Sequence, residues 1–197
     1  MFEGKAEIEK ALAALAEQLE SLGAGIVEMV VCGGAALNIL GYVHRTTKDV
    51  DVIAFIEKTG QSISLIKADS FSPLIKQAAG KVQKDFNLPE NWLNIGPASV
   101  MDFGLPDGLV ERTEKRFYGK ILIIHFLSRY DQIHFKLHAA VDQGGKHFDD
   151  LLALHPSSQE LEDAARWSMT HDPSEGFRMV LRDFLKKMGY GDVASRI

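Results

Sequence analysis

Apolar residues near the start of the chain recur at the spacing of one helical face. They stand three or four residues apart, at Ile8, Leu12, Leu15, Leu19 and Leu22. This spacing predicts an amphipathic helix from residue 5 to residue 22, and the glycines at positions 23 and 25 predict its end.

Three later segments have the hydrophobic pattern of β-strands. The first, IVEMVVCG at residues 26–33, is short and almost wholly apolar, as in a buried strand. The second, DVDVIAFIE at residues 49–57, alternates and is rich in β-branched residues, and the third is KILIIHFLS at residues 120–128. Between the first two, GAALNILGY at residues 34–42 predicts a short helix.

The remaining segments are predicted mainly from helical patterns and their breaks. Residues 61–86 are expected to be mostly helical, with an interruption at Pro73. Residues 88–106 have no clear pattern, apart from a candidate short strand in NWLNI at residues 91–95. From Arg129 onward the pattern is helical, and breaks at Gly144-Gly145, Pro156 and Pro173 predict three or four helices.

These elements predict an α/β (α+β) fold in which a small mixed sheet is flanked by helices and followed by a helical C-terminal part. The length of 197 residues, 46% of them hydrophobic, suffices for one well-buried core with an extension. We place the core at residues 1–128 and the helical extension at residues 129–197. A cleft is expected where the two parts meet.

Composition narrows the classes of function. The net charge of −5 argues against broad, non-specific binding of nucleic acid, although local basic patches remain an alternative. Two groups of cations are candidates for such patches, and solvated faces and a loop are the favoured explanation of both: Arg112, Lys115, Arg116 and Lys120, and Arg178, Arg182 and Lys186.

Cysteine content and hydropathy bear on location. The single cysteine, Cys32, excludes an internal disulfide and a thiolate cluster, and we expect it to be buried. The start of the chain is charged throughout, unlike a signal peptide, and no apolar run is long enough to span a membrane. A cytoplasmic protein with no membrane partner is therefore expected.

Two carboxylates at the start of the second predicted strand suggest chemistry. In a strand, Asp49 and Asp51 would share one face with Ile53 and Phe55, about 7 Å apart along the backbone. Their mutual repulsion requires a positive partner. Either a hard divalent cation, Mg²⁺ or Mn²⁺, or a salt-bridge network with the nearby basic residues of the segment RTTK would provide it.

A glycine pair stands at the end of the first predicted strand. Gly33 and Gly34 have no side chains, so backbone N–H groups at the start of the following helix can approach phosphate oxygens closely. The combination of a glycine pair, a short helix and RTTKDVDV therefore predicts a phosphate and metal site rather than a structural turn alone.

This combination resembles a known superfamily. The residues that carry the resemblance are Gly33-Gly34, Gly41, Arg45-Thr46 and Asp49-Val50-Asp51. They are similar to the signature of the nucleotidyltransferase fold, polymerase-beta-like, and most similar to the minimal bacterial nucleotidyltransferases related to abortive-infection toxin enzymes. A second, looser similarity lies in KLHAAVDQGGKHFDDLLAL, where Lys136 and Asp150 match the lysine and the aspartate of that family.

The resemblance implies roles for single residues. Asp49 and Asp51 would be catalytic and would ligate the metal, and Lys136 would be a third catalytic residue. Gly33, Gly34, Arg45 and Thr46 would bind the nucleotide, and Asp150 is a further candidate. For Lys136 a position beside Ile133 and Leu137, with its charge in solvent, is an equal alternative.

Two departures from the superfamily pattern concern catalysis. Many members have serine after the first glycine, whereas this chain has Gly34 followed by Ala35. Members also often carry a third carboxylate on a later strand. At this position the chain has Asn94, which cannot accept a proton as a base. Asp102, farther on, is another candidate for the third carboxylate.

Three functions follow from these features. The first is a magnesium-dependent nucleotidyltransferase that transfers NMP from an NTP to a hydroxyl of protein, RNA or a small molecule. Such an enzyme could act as a toxin whose partner is an antitoxin protein. The second is a catalytically silent module of the same fold that binds nucleotide or a partner protein. The third is an α/β protein whose acidic pair serves only salt bridges.

A histidine pair is the remaining candidate for metal chemistry. His134 and His138 stand four apart on a predicted helix, a spacing that can hold zinc. No third ligand is apparent in the sequence, so surface histidines are expected.

Overall fold

The computed structural model describes residues 1–60 and 62–197 and divides them into two compact units. The sheet unit contains Met1–Met101 and Val110–Leu127. The helical unit contains Asp102–Leu109 and Ser128–Ile197.

The described part of the sheet unit contains a six-stranded mixed sheet, which confirms the predicted fold class. Its strands are β1 (Val27–Cys32), β2 (Val50–Thr59), β3 (Ser62–Lys67), β4 (Leu93–Asn94), β5 (Glu114–Tyr118) and β6 (Leu122–Phe126). The order is β3-β2-β1-β6-β5, and β4 pairs with β2. Strand β1 is antiparallel to β2 and parallel to β6.

Helices cover one face of this sheet. They are α1 (Lys5–Ser21), α2 (Gly33–Leu40) and α3 (Pro73–Phe86). The chain also forms a 3-10 helix (Gly96–Phe103) and α4 (Leu109–Arg112). The predicted apolar face of α1 is buried at Ile8, Leu12, Leu15 and Leu19, and it packs with buried residues of α2, α3, β1 and β6 in one core.

The helical unit follows the predicted breaks. Its helices after Leu127 are α5 (Arg129–Gln143), α6 (Lys146–Ala153), α7 (Ser158–His171), α8 (Glu175–Lys187) and α9 (Gly191–Arg196). The breaks at Gly144-Gly145, Pro156 and Pro173 are confirmed, and a further one near Tyr190 separates α8 from α9. No helix among the described residues is long and apolar enough to cross a membrane.

The prediction for residues 61–86 is wrong in its first part. Residues 62–67 form strand β3, because the alternating sequence SISLIK pairs antiparallel with β2; Gln61 lies outside the described residues. Pro73 does not interrupt a helix but begins α3, where a missing N–H has no cost, and Ser72 caps this end by accepting a hydrogen bond from the Ile75 N–H at 3.3 Å.

Strand β2 contains a bulge that changes which side chains share a face. Val30 pairs with Ala54 and Val31 with Val52, so Ile53 has no partner on β1. Val52 and Phe55 consequently both face the helix-covered core, and the predicted common face of Asp51 and Phe55 is wrong. The sequence alternation could not show this, because a single extra residue reverses the parity of a strand.

The start of β2 is anchored by Phe2. Its N–H donates to the Thr47 carbonyl at 2.8 Å, and the Thr47 N–H donates back to the Phe2 carbonyl at 3.0 Å. The Phe2 ring meets the edge of Trp92, with centroids 6.2 Å apart, and the Trp92 carbonyl accepts a hydrogen bond from the Val50 N–H at 2.6 Å. Phe2 therefore ties the loop before β2 to the core.

We expect Phe2→Ala to lower the free energy of unfolding by about 3–5 kcal/mol, because it removes a fully buried ring and leaves a cavity beside Trp92. Urea unfolding measures the effect. Phe117→Ala is the matched control, since Phe117 is 70% exposed on β5, and it should change stability by about 0.5 kcal/mol or less. Equal losses in the two variants would contradict this account of the anchor.

Candidate functional site

The centre of the site is a contact between Asp51 and the bare backbone of Gly33. Gly33 begins α2 with φ +72°, in the left-handed region that favours glycine. A Cβ placed on Gly33 would lie only 2.6 Å from Asp51 Oδ2. The carboxylate of β2 therefore occupies the space that any side chain at position 33 would need.

The second glycine makes room for a different pair of side chains. A Cβ on Gly34 would lie 2.7 Å from Thr47 Oγ1 and 3.1 Å from Arg45 Nη2. The Arg45 guanidinium thus lies over the first turn of α2, where backbone N–H groups are not used within the helix. Thr46, which the sequence suggested as a nucleotide ligand, is exposed, and its carbonyl accepts a hydrogen bond from Arg45 Nη1 at 2.9 Å.

Asn38 holds this loop against the helix. Its buried side chain donates to the Gly34 carbonyl at 2.9 Å and accepts from the Arg45 N–H at 3.3 Å. Sequence reasoning missed both Asn38 and Thr47. The one available signal was an asparagine inside the apolar helix GGAALNIL, which is a polar side chain that burial obliges to find partners.

Asn94 stands beside Asp51 on the neighbouring strand. The two residues are partners in the parallel pairing of β4 with β2, and Asn94 Nδ2 donates to Asp51 Oδ1 at 3.0 Å. Asn94 Oδ1 accepts from the Gly96 N–H at 2.9 Å, which orients the amide. The short strand NWLNI is thus confirmed as β4, and its asparagine presents a donor rather than a carboxylate to Asp51.

Asp49 lies two residues before Asp51, just ahead of the first residue of β2. Val50, between them, is buried in the helix-covered core, whereas both aspartates are partly exposed. A carboxylate beside a bare glycine backbone, with a second carboxylate two residues away in the chain, fits a hard cation that keeps water and phosphate oxygens in its other positions. Within the described residues no group of three or more His, Cys, Asp or Glu side chains is placed to hold a metal ion.

The other predicted pair lies in the helical unit. Lys136 Nζ is 2.8 Å from Asp150 Oδ2, and the two side chains are only 6% and 1% exposed. The alternative in which Lys136 keeps its charge in solvent is therefore wrong. Asp102 lies at the end of the 3-10 helix and also belongs to the helical unit.

The predicted surface histidines are not both at the surface. His134 is 2% exposed, and its Nδ1 lies 2.9 Å from the Tyr130 carbonyl, which accepts its hydrogen bond. His138 is partly buried, and this burial lowers its pKa. The pair packs against Trp167, so the spacing reflects an aromatic cluster within the helical unit.

The mixed sheet, the helix that begins at a glycine pair and the carboxylate packed against it define a protein of the nucleotidyltransferase fold. A family model described as a nucleotidyltransferase of unknown function (DUF6036) matches residues 10–147, well over half of the chain. The chain belongs to this family. No curated protein and no solved structure matches it.

We expect Gly33→Ala to abolish the binding of NTP and Mg²⁺ that we propose below, because the new Cβ would displace Asp51 Oδ2. Calorimetric titration with NTP and Mg²⁺ measures this. Gly23→Ala is the control: Gly23 also has a positive φ, +70°, but open space around it. Both variants should lose about 1–2 kcal/mol of stability through backbone strain, and only Gly33→Ala should lose binding. Retained binding in Gly33→Ala would contradict the assigned role of the contact.

We expect Lys136→Met to destabilise the protein by about 3–5 kcal/mol, because the Asp150 carboxylate would stay buried without its cation. The double variant Lys136→Met/Asp150→Leu should recover most of this loss in urea unfolding. Lys187→Met, at an exposed position of α8, should stay within about 0.5 kcal/mol of the wild type. A double variant as unstable as the single one would show that the pair is not the cause.

Proposed function

We propose that this protein is a magnesium-dependent nucleotidyltransferase that transfers NMP from an NTP to a hydroxyl of protein, RNA or a small molecule. The observation that carries the proposal is the close approach of the Asp51 carboxylate to the backbone of Gly33. This contact brings an anionic, metal-binding side chain and the N-terminus of a helix to one point. Binding a nucleotide together with its cation requires both groups: the helix N-terminus for the phosphates and the carboxylate for the cation.

Each residue of the site then has a physical task. The backbone N–H groups at the start of α2 bind phosphate oxygens, and Arg45, lying over Gly34, supplies positive charge beside them. Asp49 and Asp51 would hold the cation, which when bound neutralises the charge of the transferring phosphate. Asn38 and Phe2 keep the loop that carries Arg45 in place.

One observation favours the silent binding module as the second candidate. Asn94 occupies the strand position next to Asp51, and it donates its amide to that carboxylate at 3.0 Å. An amide cannot remove a proton from an attacking hydroxyl. If no residue elsewhere takes this task, nucleotide binding persists while transfer is slow or absent.

We expect Asp51→Asn to abolish magnesium-dependent binding of NTP while leaving the fold intact. Asparagine keeps an oxygen that can accept from Asn94 but removes the charge that holds a cation and the repulsion with Asp49. Stability in metal-free buffer should therefore be unchanged or slightly higher. Mg²⁺ with NTP at a hundredfold excess over Kd should stabilise the wild type by about 2.7 kcal/mol and leave the variant unmoved.

Thermal melts with and without Mg²⁺ and NTP make this measurement. The control is Asp69→Asn, which neutralises a carboxylate 80% exposed in the sheet unit and should respond to ligand like the wild type. Release of pyrophosphate by a responsive wild type supports the enzyme, and binding without release supports the silent module. A wild type that ignores the ligands would defeat both.

The acceptor and the toxin-like role are tested in extracts and cells. Each labelled NTP, incubated with Mg²⁺ and total cell extract, should label a protein or RNA band in the presence of the wild type and not of Asp51→Asn. The resemblance to abortive-infection toxins supports a growth defect on expression of the wild type, relieved in Asp51→Asn and by an antitoxin partner. Growth unaffected by the wild type would count against the toxin-like role alone.

A further inference from the structure

The outer surface between α1 and α3 carries a groove of about 570 Å³ that the proposed reaction does not use. We refer to it as the α3 groove. Its lining consists of one residue of α1, the residue that caps the end of α1, and six residues of α3: Gln18, Leu22, Lys76, Gln77, Gly80, Lys81, Gln83 and Lys84. Lysine and glutamine dominate this lining, and it contains no carboxylate.

The groove is positively charged although the whole chain carries a net charge of −5. Lys81 donates to Asp85 Oδ1 at 2.6 Å, so its charge is largely balanced within the helix. Lys76 and Lys84 are exposed and form no ion pair with any residue that the structure describes. Two uncompensated cations therefore border a groove with no acidic side chain.

Gly80 forms part of the floor of this groove. Glycine inside a helix is destabilising relative to alanine. Nothing lies within 4 Å of a Cβ placed on Gly80, so no neighbour in the described part of the chain excludes a side chain there. The bare position instead leaves the helix backbone open to close approach from outside.

The arrangement of donors indicates the chemistry of the ligand. Lys76, Gly80 and Lys84 recur every four residues along one stripe of α3, and the two lysines stand about 12 Å apart along the axis. Lysine ammonium and glutamine amide groups are typical contacts to phosphate and sugar oxygens. No aromatic side chain lines the groove, so a single strand would find no surface on which to stack its bases.

We infer that the α3 groove binds the phosphodiester backbone of a double-stranded nucleic acid, such as an RNA stem. Binding is local and independent of sequence, since only phosphate and sugar are contacted. With the two uncompensated lysines contacting phosphates, the logarithm of affinity should fall with the logarithm of salt concentration with a slope of about −1.8. The binding does not depend on the proposed function.

Fluorescence anisotropy without NTP or Mg²⁺ tests the inference. The probes are a labelled 20-base-pair RNA hairpin, a DNA duplex of equal length and a single strand of the same sequence. We expect both duplexes to bind more tightly than the single strand. Comparison of the affinities for the RNA hairpin and the DNA duplex shows which of the two nucleic acids the groove prefers. No binding of either duplex, or preference for the single strand, would overturn the inference.

Charge variants locate the binding. Lys76→Gln/Lys84→Gln should weaken duplex binding by about tenfold or more at low salt and reduce the salt slope by about 1.8. Lys115→Gln/Lys120→Gln changes the net charge equally at exposed positions of the sheet unit and should leave binding unchanged. Equal losses in both double variants would assign the binding to net charge and overturn the site.

A filling variant separates binding from stability. Gly80→Leu places a side chain in open space and replaces glycine by a strong helix former. We expect Tm to rise by about 2–4 °C while duplex binding falls as in the lysine variant. Loss of binding in a more stable protein cannot result from unfolding. Duplex binding unchanged in Gly80→Leu would overturn the assignment to this groove.

Discussion

The packing of the Asp51 carboxylate against Gly33 is the constraint around which the sheet unit is arranged. The contact requires β2 to lie beside the junction of β1 and α2, and it requires that residue 33 have no side chain. Asn94 fixes the other oxygen of the carboxylate from β4. The hydrogen bonds between Phe2 and Thr47 fix the loop from which β2 starts. A charged group is thereby held in one orientation at the border of the core.

The pair Asp49 and Asp51 and the pair Lys136 and Asp150 differ in their exposure to water, and this difference decides what each pair can bind. Asp49 and Asp51 are partly exposed, so they retain water that a cation can replace. Lys136 and Asp150 are almost completely removed from water, and their attraction first has to compensate the loss of hydration. The pair thus depends on its own geometry for stability, and any ligand of Lys136 must compete with a carboxylate 2.8 Å away.

The sequence predicted the features that depend on local pattern. Helix α1, the three longer predicted strands and the breaks among the C-terminal helices follow from periodicity, glycine and proline. Strand β3 has the alternating sequence SISLIK and pairs with the preceding strand β2 in a hairpin, so the sequence pattern for it was present and was missed. The bulge at Ile53 was not predictable, because the register of β2 with β1 decides it. The glycine pair and Asp51 were found together in the motif. Asn38 and Thr47 were missed, since their contacts arise only when the loop folds back onto α2.

The bulge at Ile53 separates the part of β2 that carries Asp51 from the part that pairs with β3. On the hairpin side, β2 and β3 could gain or lose residues in matched pairs without turning the carboxylates. Removal of the single residue between Val52 and Ala54 would give a regular ladder in which Val52 still pairs with Val31 and Ala54 with Val30, so every side chain would keep its face. In evolutionary terms, descendants of this chain are free to vary the length of the hairpin in matched pairs and to lose the bulge, because neither change moves Asp51 away from Gly33.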